Sequence, residues 1–292
     1  MNCPNCKQDR IDDVAPYRGV HEIFQRMRLG RCTGCGLVFA LPQPDSAELA
    51  DYYGRYWDGE VAVSTPSTRR YYLAQALSRL QYLRPFVQFG GRTRVLDMGA
   101  GLGLFRDAMS RLGIAGDYAA VESDRAQFAA LRARLGANAA YSDIAALPAD
   151  RSFDLIVLAH VLEHVADPHG LVGALMAKLV PGGTLLVEVP NGDHRYKANF
   201  ESHLLFFDEA SLGSLLRPHG ALLDVSSVGK SAAQLSIAQV YPDRGALRPL
   251  KEVVKSLLAC VTPGYYDREI ARYGMSASGG DRQWLRARVR RA

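Results

Sequence analysis

The sequence predicts an α/β fold: a doubly wound, mostly parallel seven-stranded sheet, preceded by a small N-terminal module rich in cysteine. Three observations predict it. Short apolar runs alternate with stretches of helical periodicity between residues 66 and 240, which is typical of a parallel sheet with helices on both faces. A glycine-rich turn at 99–103 follows the first of these runs. Four of the five cysteines stand in two closely spaced pairs before residue 36.

The composition is that of an ordinary globular enzyme. Of the 292 residues, 48% are hydrophobic and 22% are charged, and the net charge is only +5, which argues against a disordered or fibrous chain. The length suits one large domain and one small one. No apolar stretch approaches the roughly 20 residues that cross a bilayer, and the N-terminus lacks the pattern of a secretory signal. We therefore expect a cytoplasmic protein.

The sheet domain is predicted to begin with a helix from Pro66 to about Phe89. Apolar residues recur there at helical spacing, and Gly90-Gly91 marks its end. The apolar run at 153–159 is continuous and bounded by polar residues, as in a strand covered on both faces. The other elements are predicted in this order: strand 94–97, helix 103–113, strand 118–122, helix 124–136, strand 139–141, helix 168–180, strand 184–189 and helix 211–216.

The segments 221–228 and 232–240 could form the last two strands, as an antiparallel pair. Beyond residue 241 the pattern predicts two short helices and then a basic tail, in which five arginines stand against one aspartate over 281–292. Such a cluster could attract phosphate groups, nucleic acid or an acidic surface. The more frequent explanation is a solvated helix end or a frayed tail.

The most informative stretch is the strand and turn from Val95 to Gly103. A strand that enters a glycine-rich turn and opens a helix lets a ligand approach the backbone closely. The turn departs from the dinucleotide-binding fingerprint, because Leu104 replaces the third glycine and Asp97 directly precedes the turn. A carboxylate at this point would repel a pyrophosphate. It suits a ligand that has an ammonium group and no phosphate, such as S-adenosylmethionine.

Two further acids follow the next two strands. Glu122 lies 25 residues after Asp97, where a carboxylate can accept hydrogen bonds from both ribose hydroxyls. Asp143 follows the third strand and is placed to meet the adenine amino group.

Five landmarks in this order resemble the class I S-adenosylmethionine-dependent methyltransferases over about residues 66–240. They are the glycine turn, Glu122, the strand Phe153-Asp154-Leu155-Ile156, the stretch His160-Val161-Leu162-Glu163-His164, and Leu179-Val180-Pro181-Gly182-Gly183. The resemblance implies that Asp97 and the glycines hold the methionine end, that Glu122 holds the ribose and that Asp143 with Ile144 holds the adenine. The predicted cofactor-binding residues are Asp97, Gly99, Ala100, Gly101, Gly103, Glu122, Ser123, Asp143, Ile144 and His160.

The cysteine pairs predict a metal site. Cys3 and Cys6 form one Cys-x2-Cys pair, and Cys32 and Cys35 form the other. Two such pairs can surround one tetrahedral zinc ion, and in a cytosolic chain the spacing favours metal over disulfides. Four thiolates leave no open position, so we expect the zinc to be structural, in a module whose core is separate from that of the sheet domain.

The predicted domain organisation has four segments. They are a zinc-binding ribbon at 1–40, an aromatic linker segment at 41–65, a methyltransferase domain at 66–240, and a C-terminal helical extension with a basic tail at 241–292. In the linker, Tyr53, Tyr56 and Trp57 could close over the site, or they could join the ribbon to the main domain. We favour the second interpretation.

This arrangement resembles bacterial methyltransferases of antibiotic-sugar and surface-polysaccharide pathways, including the sugar C-methyltransferases. Those enzymes carry a Tyr-x-Glu-His signature after the fifth strand. Here Phe200 stands in place of the tyrosine and Ser202 in place of the glutamate, while His203 is retained. The departure weakens the case for C-methylation and leaves methyl transfer as the expected reaction.

The predicted catalytic residues are His203, His164 and Glu201. Methyl transfer needs positioning above all, and a base when the acceptor must lose a proton. His203 lies in the loop after the fifth strand, so it is the first candidate base, and Glu201 could steer its ring. His164 lies at the same rim but could simply be a satisfied polar residue. His160 could pack against the cofactor.

Three functions remain open. The first is methyl transfer, at oxygen, to a small molecule such as a sugar, a nucleotide sugar or a natural product. The second is an RNA or protein methyltransferase that grips its substrate with the ribbon and the basic tail. The third is a non-enzymatic binding protein that has kept the fold.

Overall fold

In a computed structural model of the chain, residues 2–54, 66–231 and 282–292 are described. The predicted strand at 232–240, the helices predicted beyond 241, and Tyr56 and Trp57 lie outside these ranges. None of the helices within them is long and apolar enough to cross a membrane.

Two sheets and the helices around them make up the described part of the chain. In chain order, the elements are β1 (Ile11–Pro16), α1 (Glu22–Gln25), β2 (Arg28–Cys32), β3 (Val38–Leu41), α2 (Ser46–Gly54), α3 (Pro66–Leu83), β4 (Arg94–Met98), α4 (Leu104–Arg111), β5 (Asp117–Val121), α5 (Arg125–Leu135), β6 (Ala140–Tyr141), β7 (Phe153–Ala159), α6 (Pro168–Lys178), β8 (Leu179–Pro190), β9 (Leu205–Phe206), α7 (Glu209–Leu216), β10 (Ala221–Ser231) and β11 (Arg282–Arg290).

The main sheet has seven strands in the order β10-β11-β8-β7-β4-β5-β6. The five strands from β8 to β6 run parallel, and β11 runs antiparallel to both β8 and β10. This confirms the prediction of a mostly parallel seven-stranded sheet. The chain reverses its direction of winding at β4, which lies between β5 and β7. In open α/β sheets, ligands bind at the carboxyl ends of the strands beside such a point.

Local sequence explains the elements that flank β4. The predicted buried strand coincides with β7, where both faces are covered. Helix α5 begins where the side chain of Asp124 accepts a hydrogen bond from the Gln127 N–H, and it ends at Gly136 with φ 90°. Helix α6 begins in the same way at Asp167, with Pro168 in its first turn.

The prediction of a helical extension with a basic tail is wrong at 282–290, because these residues form β11 inside the main sheet. Leu285, Ala287 and Val289 point to one face and join the core. Arg286 and Arg288 point to the other face and are 1% and 7% exposed. The alternation is that of a strand, and acids on neighbouring strands balance its charges, so the methyltransferase domain extends beyond residue 240.

The prediction of a module with a separate core is also wrong. A second sheet has the order β1-β2-β3-β9, and its last strand comes from the main domain. Phe24 and Phe39 of the module lie in one continuous apolar cluster with Phe206 of the main domain. About 40 residues bury too little apolar surface to form a stable core alone. The module therefore completes its core against the loop that follows β8.

Candidate active site and metal centre

A cavity of about 710 Å³ opens at the carboxyl ends of β4, β5 and β7. Nine of the ten predicted cofactor-binding residues line it: Asp97, Gly99, Ala100, Gly101, Glu122, Ser123, Asp143, Ile144 and His160. Gly103 lies outside this lining. With φ 66° it caps α4, and a side chain there would collide with Leu131 and Arg134 of α5. Gly103 thus leaves room for two side chains of α5 at the start of α4.

The glycine turn packs closely against Val161 at Gly99 and is open at Gly101. Gly99 has φ 73°, and a Cβ there would collide with Val161. Gly101 has φ 52° and no atom near the position of a Cβ. Its N–H donates a hydrogen bond of 2.7 Å to Oε2 of Glu122. Both glycines need a backbone conformation that other residues rarely adopt, and the open side faces the cavity.

Two buried carboxylates lie beside this turn. The hydroxyl of Tyr118 donates a hydrogen bond of 2.7 Å to Oδ2 of Asp97, which is 6% exposed. Burial raises the pKa of Asp97 to about 6. Burial also raises the pKa of Glu122, although the N–H groups of Asp124 and Gly101 oppose this shift. Carboxylates in such surroundings favour a ligand that brings a cation or hydroxyl groups.

Asp143 lies at the exposed rim of the cavity. Its Oδ1 accepts a hydrogen bond of 3.0 Å from the Ala146 N–H and so caps the short turn that Ile144 begins. Its Oδ2 lies 3.4 Å from the Ser142 hydroxyl.

His160 is held between two buried acids. Its Nδ1 lies 3.3 Å from Oε1 of Glu163, and its Nε2 lies 3.3 Å from Oε1 of Glu188. Its backbone has φ 55°, and its N–H donates to the Glu188 carbonyl oxygen. Burial opposes a charge on the ring, but the two carboxylates outweigh it and raise the pKa of His160. The ring is therefore fixed as a wall of the cavity.

His203 lies in the loop after β8 and lines the same cavity. Its Nδ1 lies 2.8 Å from Oδ2 of Asp193 in a bent contact, and its Nε2 lies 3.2 Å from Nζ of Lys197. Lys197 is also 3.0 Å from the same carboxylate. Burial opposes ionisation of Asp193, but His203 and Lys197 outweigh it and hold the pKa of that carboxyl well below its usual range. The three groups form a closed triangle beside the cavity, in which Lys197 contacts both the carboxylate and the imidazole ring.

Glu201 does not steer the His203 ring, contrary to the prediction. Its Oε2 accepts hydrogen bonds from the N–H groups of Val20 and His21, at 2.8 and 3.1 Å. The backbone between Glu201 and His203 turns the two side chains apart, and the carboxylate beside His203 belongs to Asp193. Sequence reasoning missed Asp193, although the order Asn191-Gly192-Asp193 directly after a strand is a signal of a tight turn at the site edge.

His164 packs against the loop after β8 that carries Ser202 and His203. Its ring meets that of His203 edge to face, with centroids 4.8 Å apart, and its Nδ1 lies 3.1 Å from the Ser202 hydroxyl oxygen. Burial lowers the pKa of His164 to about 4; the His203 charge adds to this, and Glu163 opposes it. Since this pKa lies well below 7, His164 is neutral at pH 7. Ligating atoms of Glu163, His164 and His203 lie within 4.8 Å of one another.

Aromatic side chains from distant segments line the rest of the cavity. They are Tyr53 of α2, Tyr71 and Tyr72 of α3, Tyr196 of the loop after β8, and Trp284 of β11. Tyr53 fits both interpretations of the linker, because it lines the cavity and its hydroxyl donates to the Ser202 carbonyl oxygen at 3.2 Å. Sequence reasoning missed Trp284 because its strand was taken for a tail. Alternating apolar and basic residues from Leu285 to Arg290 were the available signal.

The four predicted metal ligands converge at the far end of the module. Sγ of Cys3 lies 3.6 Å from that of Cys35, and Sγ of Cys6 lies 3.4 Å from that of Cys32. All four sulfur atoms lie within 4.8 Å of one another. A tetrahedral zinc ion with Zn–S bonds of about 2.3 Å needs sulfur atoms about 3.8 Å apart. The donor set and spacing therefore fit zinc.

The chain is similar to bacterial proteins named ubiquinone biosynthesis O-methyltransferase. The chain is 36% identical over 118 residues to a ubiquinone biosynthesis O-methyltransferase of Xanthomonas campestris pv. campestris, over 39% of this chain and 49% of the relative. It is 30% identical over 178 residues to the enzyme of the same name from Xanthomonas euvesicatoria pv. vesicatoria, over 51% and 71%. The chain thus spans about half the length of the first of these relatives.

Solved structures share the fold. A methyltransferase of Thermotoga maritima, described as a possible histamine N-methyltransferase, aligns with a TM-score of 0.50 and 17% identity, over 84% of this chain and all of that one. Phosphoethanolamine N-methyltransferase 2 of Haemonchus contortus aligns with a TM-score of 0.51 and 15% identity, over 87% and 62%. The family model described as "Methyltransferase domain" matches residues 66–223, more than half of the chain. The chain therefore belongs to the class I S-adenosylmethionine-dependent methyltransferases.

Proposed function

We propose that the protein methylates a hydroxyl oxygen of a small molecule, with His203 as the general base. The observation that carries the proposal is the cluster of Asp193, His203 and Lys197, in mutual contact at the edge of the cofactor cavity. A base aligned with a carboxylate is what an oxygen acceptor needs and what an amine acceptor can do without. The relatives named ubiquinone biosynthesis O-methyltransferase are O-methyltransferases by name, which supports an oxygen acceptor here.

S-adenosylmethionine, when bound, supplies a methyl group on a sulfonium centre. Asp97 and the backbone of Gly99 and Gly101 would hold its methionine end, since the turn is open on the cavity side and Asp97 lines the cavity beside it. Glu122 would accept from the ribose hydroxyls. Asp143 and Ile144 would meet the adenine at the rim. A volume of about 710 Å³ has room for a cofactor and an acceptor together.

The proton of the acceptor hydroxyl would pass to Nε2 of His203. The Asp193 carboxylate favours a proton on Nδ1, which leaves the Nε2 lone pair facing Nζ of Lys197 at 3.2 Å, a contact that the acceptor hydroxyl would displace. The Lys197 ammonium would stabilise the negative charge that develops on the acceptor oxygen. Asp193 would then stabilise the imidazolium. Lys197 would therefore be a second catalytic residue beside His203. Sequence reasoning predicted His203 and missed Lys197.

The part of the cavity away from the glycine turn, which we call the acceptor half, favours a substrate that contains a ring. The aromatic rings of Tyr53, Tyr196 and Trp284 line it, and flat apolar faces pack against the faces of sugar or aromatic rings. We propose a sugar, a nucleotide sugar or another natural product with a ring hydroxyl as the acceptor.

We propose that the cysteine module, residues 2–41, holds one structural zinc ion through Cys3, Cys6, Cys32 and Cys35. The convergence of the four sulfur atoms within 4.8 Å supports it. Four protein ligands leave no position for a substrate, so the metal would stabilise the module and take no part in the chemistry.

A nucleic-acid or protein substrate has less support. The basic tail was its main argument, and two of its arginines have partners within the chain. Arg286 contacts the buried carboxylate of Glu188, and Nε of Arg288 lies 2.7 Å from Oδ1 of Asp224. These charges are therefore neutralised within the sheet, and a macromolecule would have to be gripped by other groups.

The test is a methyl-transfer screen with labelled S-adenosylmethionine against phenols, sugars, nucleotide sugars and total RNA. Transfer to a small-molecule hydroxyl that His203→Gln reduces at least 100-fold is the expected result. Transfer to RNA alone would replace the proposal with the macromolecular function. Tight cofactor binding without any transfer would favour a non-enzymatic binding protein. Normal turnover of the His203→Gln variant would show that His203 is not the general base.

A further inference from the structure

We propose that the cysteine module positions His203, and that the Tyr17 hydroxyl is the principal contact through which it does so. The proposal rests on the proposed function, since it assigns the module a role in catalysis beyond its own stability. Tyr17 would be a positioning residue. It reaches the reaction only through the backbone of His203.

The segment 199–206, which we call the histidine loop, makes backbone hydrogen bonds to the N-terminal part of the chain at several residues. The Phe200 N–H donates to the Arg18 carbonyl oxygen at 2.6 Å, and the Ala40 N–H donates to the Leu204 carbonyl oxygen at 2.8 Å. Directly after Leu204, β9 pairs with β3 of the module. The histidine loop is therefore an added strand of the module sheet as much as a loop of the main domain.

The Tyr17 hydroxyl donates a hydrogen bond of 2.9 Å to the carbonyl oxygen of His203 itself. The Tyr17 side chain is 7% exposed and its ring packs edge to face on Phe200, with centroids 5.6 Å apart. Burial raises the pKa of Tyr17 above its usual range, so the hydroxyl keeps its proton and remains a donor. A second contact lies one residue away, where Tyr53 of α2 donates to the Ser202 carbonyl oxygen.

The same strand pair connects Tyr17 to the cysteines. Tyr17 directly follows β1, and at the other end of β1, Ile11 pairs with Cys32 of β2. The four thiols thus fix one end of a two-stranded ribbon whose other end holds His203. Order in the ribbon is transmitted to the histidine along β1, without any contact between the cysteines and the cavity.

Position matters more for His203 than for the cofactor residues. Its two contacts, to Asp193 at 2.8 Å and to Lys197 at 3.2 Å, fix the direction of Nε2. A displacement of about 1 Å in such an array can lower turnover on the order of 100-fold. Asp97 and Glu122 lie at the ends of β4 and β5, which make no sheet contact with the module. The module should therefore affect turnover and leave cofactor affinity unchanged.

The test is Tyr17→Phe, which keeps the ring and removes one hydroxyl. We expect kcat to fall about 5- to 20-fold, while the Kd for S-adenosylmethionine stays within twofold. The matched control is Tyr141→Phe, since the Tyr141 hydroxyl bonds the Asn138 carbonyl oxygen beside β6, at the opposite edge of the sheet; it should leave both values unchanged. A second variant, Glu201→Ala, removes the bonds to Val20 and His21 outside the apolar core, and should lower kcat by a smaller factor.

A readout that needs no turnover separates this proposal from the proposed function. The imidazole nitrogen NMR signals of His203, assigned with His203→Gln, should shift in Tyr17→Phe and not in Tyr141→Phe. If the signals move but no acceptor is methylated, positioning holds and the proposed function fails. If the signals and kcat are both unchanged in a folded Tyr17→Phe protein, the module does not position His203.

Discussion

The two halves of the cavity are built in different ways. The cofactor half consists of residues that directly follow parallel strands, so the strand order alone brings Gly99, Glu122 and His160 together. The acceptor half is assembled from α2, the loop after β8, and β11. The histidine proposed as its base, His203, contacts Tyr17 of a module that lies more than 150 residues earlier in the chain. The first half is fixed by fold topology, and the second by contacts that can vary while the fold is kept.

The strongest perturbation of this division should be loss of the proposed zinc ion. Because the module shares its core with the main domain, Cys32→Ser should lower the free energy of unfolding by more than about 3 kcal/mol, and unfolding should remain a single transition. Metal analysis of the wild-type protein should return one zinc per chain. Well under half an equivalent, in protein never exposed to chelator, would contradict the zinc site. Two separate melting transitions would instead show that the cysteine module has a core of its own.

Removal of the proposed base, His203, should affect only the acceptor half. We expect His203→Gln to lower kcat at least 100-fold, since a positioned base contributes about 10²–10⁴-fold, while calorimetry gives a Kd for S-adenosylmethionine within twofold of wild type. Lys197→Met should follow the same pattern with a smaller loss of roughly tenfold. A large change of cofactor affinity in either variant would show that the halves are not separable.

The reverse pattern is expected for Asp97→Asn. The loss of a buried carboxylate partner should weaken S-adenosylmethionine binding by roughly 1–3 kcal/mol. Since the pKa of Asp97 is raised to about 6, the ionised form that pairs with an ammonium group is present above that pH and is lost below it. Wild-type affinity should thus fall as the pH is lowered through 6, and Asp97→Asn should lack this dependence. A flat wild-type profile between pH 7 and 5 would contradict the assignment.

The smallest expected effect concerns His164. Its pKa is lowered to about 4 in the folded protein, whereas the unfolded chain binds the proton near the ordinary value of about 6.5. The unfolded state therefore holds more protons between these values, and stability is lost as the pH falls from 6.5 towards 4. His164→Gln should reduce that loss by roughly 1–2 kcal/mol, measured by urea unfolding at pH 7.5 and pH 4.5. Equal losses in both proteins would contradict it.

Sequence reasoning succeeded where neighbours in the chain are neighbours in space. The strand 153–159 and the placement of Asp97 and Glu122 at the ends of β4 and β5 belong to this class, because a buried run and the residues at its end need no distant partner. Arg286 and Arg288 were taken for a solvated tail, since nothing nearby in the chain reveals that Glu188 and Asp224 pair with them. Glu201 was predicted to steer the His203 ring because the two residues are close in sequence, but in the folded loop the neighbouring carboxylate is that of Asp193.

The placement of β11 has a consequence for the order in which the molecule can be completed. Ribosomes deliver the chain from its N-terminus, so every cofactor-half residue is made well before 282–290 is available. Until then β8 and β10 lack the strand between them, and Glu188 lacks Arg286. A chain cut between residues 231 and 282 would keep this state: a bare strand edge and a buried acid without one of its arginines. Such edges recruit other chains, so a chain that ends between these residues should aggregate, even though all the residues proposed to hold the cofactor are present.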